Sequence, residues 1–160
     1  MYEEAVAVPL LLAGPGLPIG VRATTPVSLL DLYPFIMASV GALSPETVTP
    51  AHPGRCITEV LATPQPHRAV FSEYHGMGSK TAAYMLRKGR YKLVHYADYE
   101  PQLFDLASDP EELTDLARRV DAKPVLDDLQ TELHRICDPD EVNRRAKHDQ
   151  QRLLAVRVEH

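Results

Sequence analysis

The stretch Arg68 to Tyr96 constrains this chain most, because it reads as three successive strands separated by turn chemistry. Ala69 to Tyr74 is rich in β-formers, Thr81 to Arg87 alternates as far as Lys88-Gly89, and Arg90 to Tyr96 alternates again. A tight hairpin needs a residue at positive φ, and Gly89 supplies it without steric cost, so the second and third runs should pair antiparallel. Between the first two runs lies Tyr74-His75-Gly76-Met77-Gly78-Ser79-Lys80, a mobile polar loop presented by a rigid sheet, where binding chemistry tends to sit. The imidazole of His75 and the ammonium of Lys80, flanked by Gly76, Gly78 and Ser79, have the donors to hold an anionic oxygen group. The plainer alternative is a solvated loop.

The other segments supply helices and connections. Ala5-Val6-Ala7-Val8-Pro9-Leu10-Leu11-Leu12-Ala13 is a continuous apolar run, the pattern of a strand covered on both faces, although few other segments could serve as its neighbours. Residues 14–20 form a loop by their glycine and proline content. Thr25-Pro26 opens a helix with Thr25 as N-cap, carried by Leu29, Leu30, Leu32, Tyr33, Ile36, Met37 and Val40 up to Gly41. Pro34 predicts a kink or a break near Leu32. Pro45, Pro50, Pro53, Pro64 and Pro66 make 42–67 mostly irregular, with a short helix near Ile57 to Leu61, and 46–67 reads as a connection. After the hairpin, Gln102 to Leu106 reads as a strand, and Ser108-Asp109-Pro110-Glu111-Glu112 as a helix start with Leu113 and Leu116 turned inward. An amphipathic helix follows from Pro124 to about Cys137, interrupted by Asp138-Pro139-Asp140. The tail is charged to Arg152, helical or partly disordered, and ends in the apolar Leu153 to Val158, which needs a surface to cover. This gives a strand, loop and helix over 1–45, a connection over 46–67, an antiparallel sheet with helices over 68–137 and a charged tail over 138–160.

Composition narrows the function classes. The chain has 160 residues, enough for one domain or one and a half, and its formal net charge of −5 gives no global field for nucleic acid or an anionic membrane. Cys56 and Cys137 form no C-x-x-C pair and are expected as two reduced thiols. Ala5 to Ala13 is far short of the ~20 residues that span a bilayer and follows no basic segment, so the expectation is a cytoplasmic chain without signal or anchor. Arg87, Lys88, Arg90 and Lys92 read as a solvated hairpin tip, His95 as a half-buried strand histidine, and Asp127-Asp128 as an exposed helix face. The motifs G-x-x-x-x-G-K-[ST], H-E-x-x-H and G-x-S-x-G do not occur.

Several blocks resemble one family. Tyr2 to Leu10, Gly14-Pro15-Gly16, Val27 to Pro34, Ser72-Glu73-Tyr74 with Gly78-Ser79, Met85 to Lys92 and Gln102 to Leu113 resemble, in order and spacing, the second half of the type I sulfatases of the alkaline-phosphatase-like superfamily. They look most like the choline-sulfatase-like branch, and the likeness runs from residue 1 to about 120. The resemblance implies an α/β fold: a strand and helix left over from a large sulfatase sheet, then a small antiparallel sheet of about four strands packed with helices. It makes 1–45 a remnant of the catalytic domain. In the family a Cys or Ser in C/S-x-P-x-R becomes the formylglycine nucleophile, and calcium or magnesium is held by residues that nearly all precede the stretch matching Tyr2-Glu3-Glu4. Cys137-Asp138-Pro139-Asp140-Glu141 comes near that motif but has Glu141 where arginine belongs. The expectations are therefore no nucleophile, metal or cofactor in this chain, and Tyr74, His75, Ser79 and Lys80 as rim residues of a substrate pocket. The expected partner is a separate N-terminal sulfatase polypeptide or a second copy of the chain.

Overall fold

The computed structural model describes residues 1–42, 52–63 and 65–158, with side chains as far as 155. Pro45, Pro50 and Pro64 of the expected connection lie outside the described residues, as do the side chains at the end of the apolar tail. The chain divides into two units, one of residues 8–70 and one of residues 1–7 with 71–160.

In the 8–70 unit the main organiser is Asp31. A single 3-10 turn, Leu29–Asp31, runs into helix α2, Leu32–Ser39, and is capped by Ser28, whose hydroxyl accepts from Leu30 N while Asp31 accepts from Ser28 N. The cap is thus Ser28, three residues later than the expected Thr25. The physical reason is that the Asp31 carboxylate closes a reciprocal box with Ser28, which Thr25-Pro26 has no partner to match. Pro34 falls in the first turn of α2, where its missing N–H costs nothing, and the change from 3-10 to α geometry is at Leu32. Asp31 is fully buried and also accepts from Arg55 N at 2.8 Å and from both Arg68 guanidinium nitrogens at 2.7 Å. Helix α3, Ile57–Ala62, buries Ile57 and Val60. The approach of the chain before α3 is so close that a Cβ on Gly54 would stand 2.1 Å from the Leu30 carbonyl oxygen. Gly54→Ala should therefore destabilise this unit by about 1–3 kcal/mol, read as a shift of the urea midpoint at unchanged m-value, since backbone must move to admit the methyl.

The apolar run that suggested a doubly covered strand is not one. Helix α1 covers only Glu3–Val6, and residues 7–13 adopt no regular element. Leu11 is 94% exposed. A strand needs a neighbour for its amide and carbonyl groups, and no strand among the described residues pairs with this one.

The second unit holds the sheet from Phe71 onward. Strands β1 (Ala69–Tyr74), β2 (Ala83–Lys88), β3 (Tyr91–Tyr96) and β4 (Tyr99–Asp105) lie in the order β1-β2-β3-β4. The β2–β3 register, Lys88↔Tyr91 to Ala83↔Tyr96, leaves Gly89-Arg90 as a two-residue loop with Gly89 at φ 61. β3 pairs antiparallel with β4 from Tyr91↔Asp105 to Tyr96↔Tyr99, with an irregularity near His95. Helix α4, Lys123–Ile136, packs Leu126, Leu129 and Leu133 onto β2 and β3, whose Tyr84, Leu86, Leu93 and Val94 are buried. Helix α5 follows from Pro139 to Val158, with the Asp138 carboxylate accepting from the amides of Asp140 and Glu141. Mixed α/β architecture with a four-stranded antiparallel sheet and helices is thus as expected.

Two expectations fail here for one reason, a buried charge. No helix follows Ser108; the segment is a run of turns, and Leu113 is 78% exposed. Asp109 does cap, accepting from Leu113 N and Thr114 N, but Glu112 takes φ 55 and cannot continue a helix. Its carboxylate is drawn inward to the Lys92 ammonium at 2.7 Å. In the hairpin run the departure is Lys92: Arg90 at the tip is exposed as expected, and Arg87 and Lys88 are half-buried. Lys92 is fully buried between Glu112 and Glu3, Arg87 reaches Glu3, Lys88 pairs with Asp128 and Arg90 with Asp105. The Asp127-Asp128 face is exposed as expected, with Asp127 paired to Lys123 across the helix surface.

Candidate functional site

The loop between β1 and β2 is built as a braced turn. Gly78 sits at φ 85, Ser79 Oγ donates to Thr81 O at 2.7 Å, and Ser79 N closes onto Gly76 O. Three side chains of α5 tie the loop down: Gln150 donates to His75 O at 2.8 Å, Lys147 to Ser79 O, and Asn143 accepts from Ala82 N. The charged tail is therefore a wall of the loop, and the loop is held by hydrogen bonds where the sequence suggested mobility.

The four expected rim residues separate into two places. His75 Nε2 lies 3.2 Å from Glu73 Oε2, and its ring meets Tyr84 edge-on at 5.5 Å. Its Nδ1 is buried and has no partner among the described residues. Tyr84 continues the cluster, donating its hydroxyl to Pro139 O at 2.7 Å and standing 6.2 Å from the His95 ring, which in turn meets His134 of α4 at 6.3 Å. Burial, then the neighbouring Cys137 and the Glu73, Asp140 and Asp138 carboxylates, push the Tyr84 hydroxyl up to about 12. Burial, with His134 beside it, holds His95 below its ordinary value. Cys137 is pushed up by burial and by Glu73 and Asp138, so it stays a thiol and the Cys137-Asp138-Pro139-Asp140-Glu141 segment presents no activated nucleophile.

Ser79 and Lys80 instead line a cleft of about 740 Å³, which neither Tyr74 nor His75 lines. Its other walls include Thr81, Tyr96, Tyr99 and Arg118. Tyr96 donates its hydroxyl to Gln102 Oε1 at 3.0 Å, Gln102 Nε2 donates to Tyr2 at 3.2 Å, and burial with Tyr2 and Asp115 nearby raises the Tyr96 pKa. Tyr74 is more than half exposed. The structure thus joins Lys80 to Tyr99 and Arg118, which no local pattern singles out. Tyr99 arrives through the Tyr96↔Tyr99 register pair, and Arg118 through the turn-rich segment that replaces the expected helix.

The residues do not form a metal site: among those described, no group of three His, Cys, Asp or Glu side chains is placed to hold a cation. No helix of the described residues is long and apolar enough to cross a membrane.

Comparison with known proteins fits this architecture. The family of the N-sulphoglucosamine sulphohydrolase C-terminal region matches residues 1–139. Arylsulfatase K of Mus musculus is 38% identical over 125 residues, covering 73% of this chain and 23% of the relative. Arylsulfatase K of Danio rerio is 38% identical over 148 residues, covering 86% and 27%. The chain thus spans about a quarter of the length of the curated relatives it matches. Among solved structures, Ps i-CgsB in complex with a neocarrahexaose aligns at 26% identity and TM-score 0.58 over 74% of this chain and 26% of its own. BT1596, a 2-O GAG sulfatase, aligns at 25% identity and TM-score 0.53 over 76% and 25%. The curated relatives are arylsulfatases K, so the narrower likeness to choline sulfatases is replaced by the broader one to sulfatases. With its four-stranded sheet, its packed helices and a match over most of its length, the chain belongs to the N-sulphoglucosamine sulphohydrolase C-terminal family and is a sulfatase C-terminal domain.

Proposed function

We propose that this chain serves a sulfuric-ester hydrolase by supplying binding surface, while the nucleophile and the metal ligands come from other residues. The family match over residues 1–139 carries this reading. C/S-x-P-x-R occurs nowhere in the sequence, and Cys137, the nearest to it, is held as a thiol. Hydrolysis of a sulfate ester depends on an activated nucleophile, so the chain alone turns over no substrate. Identity of 38% to two arylsulfatases K favours an aryl sulfate over choline sulfate as the ester class.

The same reading gives the 8–70 unit a task. Leu11 and Ile19 are almost fully exposed, and Val8, Val21 and Val40 are each more than 60% exposed, apolar area that asks for a covering surface. The catalytic portion of the enzyme is the partner that this reading supplies. A second reading, favoured by the same exposed side chains, is self-association of two copies.

The test is complementation. The catalytic portion of an arylsulfatase K, ending before the region matched here, is mixed with the purified chain and assayed on a chromogenic aryl sulfate, with mass measured by light scattering after size exclusion. A one-to-one complex with turnover above that of the catalytic portion alone is expected. A homodimer that ignores the catalytic portion would instead support self-association and remove the docking role.

A further inference from the structure

The two long helices are held to the sheet by different forces. α4 buries Leu126, Leu129 and Leu133, an apolar stripe that water must reach again if the helix leaves. Among the described side chains of α5 only that of Pro139, its first residue, is buried. The half-buried ones are Val142, Asn143, Ala146, Lys147 and Gln150, which share one face at helical spacing, and three of these five are polar. Those three are the ones that reach the β1–β2 loop. Asn143 accepts from Ala82 N at 3.2 Å, Lys147 donates to Ser79 O, and Gln150 donates to His75 O at 2.8 Å. All three partners are backbone groups spread from one end of the loop to the other, so the helix constrains the path of the chain itself.

The base of α5 is fixed separately. Cys137 is extended, at φ −153 and ψ 165, so α4 and α5 do not run on as one helix. The Pro139 carbonyl accepts from the Tyr84 hydroxyl at 2.7 Å, which pins the first turn of α5 to β2. From there the helix has its own support: the Asp138 carboxylate caps the Asp140 and Glu141 amides, and Glu141 pairs with Arg144 one turn on. A pinned base and a self-supported helix thus carry a latch of three hydrogen bonds with little apolar area beneath it. When the helix lifts, each latch bond is exchanged for one to water, so lifting costs little beside unfolding the sheet.

We propose that α5 is a detachable strap over the β1–β2 loop: Asn143, Lys147 and Gln150 position the loop backbone, and α5 lifts from its Pro139 base, freeing the loop, while β2, β3 and α4 stay folded. The consequence falls on the cleft, because Ser79, Lys80 and Thr81 line it from this loop. With the strap down, Ser79 N on Gly76 O and Ser79 Oγ on Thr81 O complete a braced turn and the cleft has a fixed wall. With the strap up, Gly76 and Gly78 let that turn move and the wall with it. The device is independent of hydrolysis, and all three latch residues lie beyond the residues 1–139 that match the family.

The test is amide hydrogen exchange in rising urea on the ¹⁵N-labelled 160-residue chain. The Ala82 amide, bonded to Asn143, should open at lower cost and with a smaller urea slope than the amides of the β2–β3 ladder, since lifting a helix exposes little surface. Asn143→Leu/Lys147→Met/Gln150→Leu should speed exchange at Ala82 and Ser79 tenfold or more, a change of ~1.4 kcal/mol, with the ladder still protected well above them. Asn143→Asp keeps an acceptor for Ala82 N and should retain the protection that Asn143→Leu loses. Ala146→Pro interrupts the helix with the latch side chains in place and should free the loop as the triple variant does. A cost and urea slope at Ala82 equal to those of the ladder would make α5 part of the core and overturn the proposal. So would parent-like exchange at Ala82 and Ser79 in the triple variant, or equal loss in Asn143→Asp and Asn143→Leu.

Discussion

Asp31→Ala is expected to cost the 8–70 unit about 3–5 kcal/mol, because it leaves a nearly buried guanidinium and two amides without their acceptor. The two carboxylate oxygens take four donors between them: Ser28 N, Arg55 N and both terminal nitrogens of Arg68. Arg68 has one other acceptor, Pro26 O at 3.0 Å, so removing Asp31 leaves most of its charge uncompensated. Hydrogen exchange should show the loss directly, with the Arg55 amide losing protection first. Asp31→Leu/Arg68→Met should recover part of it, since removing both charges also removes their desolvation cost. Full protection at Arg55 in Asp31→Ala would contradict the account.

The same pair sets a pH dependence. Burial by itself would raise the Asp31 pKa, but the hydrogen bonds from Arg68, Arg55 and Ser28 outweigh it and hold the carboxyl below its ordinary value. The folded state therefore binds the proton less readily than the unfolded chain. The contribution is fully present above the unfolded pKa of about 4 and is lost as pH falls through the folded value. The Asp31→Ala variant should show a flatter acid limb than the parent.

Lys92→Met should destabilise the sheet unit by a similar 3–5 kcal/mol. The variant leaves the Glu112 carboxylate, 1% exposed, facing that of Glu3 with no cation between them. Glu3 N donates to Glu112 Oε2 at 2.5 Å, and this amide is the nearest remaining compensation. Lys92→Met/Glu112→Leu should regain much of the loss, giving a coupling energy well above the ~0.5 kcal/mol typical of surface pairs such as Lys123–Asp127. Urea unfolding followed by circular dichroism measures the cycle, and equal midpoints for Lys92→Met and the parent would show the ion pair to be energetically idle.

What was legible in the sequence was local. β1, the Gly89 hairpin, α3 and α4 follow from strand alternation, one glycine turn and an apolar stripe, and each is close to its expected place. These signals lie within a few residues of the elements they specify. What was not legible depends on long-range pairing. The apolar run Ala5 to Ala13 has the pattern of a buried strand but no neighbouring strand among the described residues, and Glu112 abandons helix geometry for a lysine twenty residues earlier in the chain. Lys92 looked like any surface lysine because no local pattern reveals that Glu3 and Glu112 close over it. The candidate site divides in the same way. Its loop was visible as glycines among polar groups, while Tyr99 and Arg118 enter the cleft through strand register and turns. His75, adjacent to that loop in sequence, is turned instead against Tyr84 and Glu73.

The central claim is that these 160 residues bind but do not carry the reacting groups of a sulfatase. The most direct measurement is hydrolysis of a chromogenic aryl sulfate by the purified chain, first with calcium and then with a chelator. The account predicts no turnover above buffer in either condition, with the chain still able to raise the activity of a separate catalytic portion. Turnover that a chelator abolishes would contradict it, and Cys137 and His75 would be the first residues to replace.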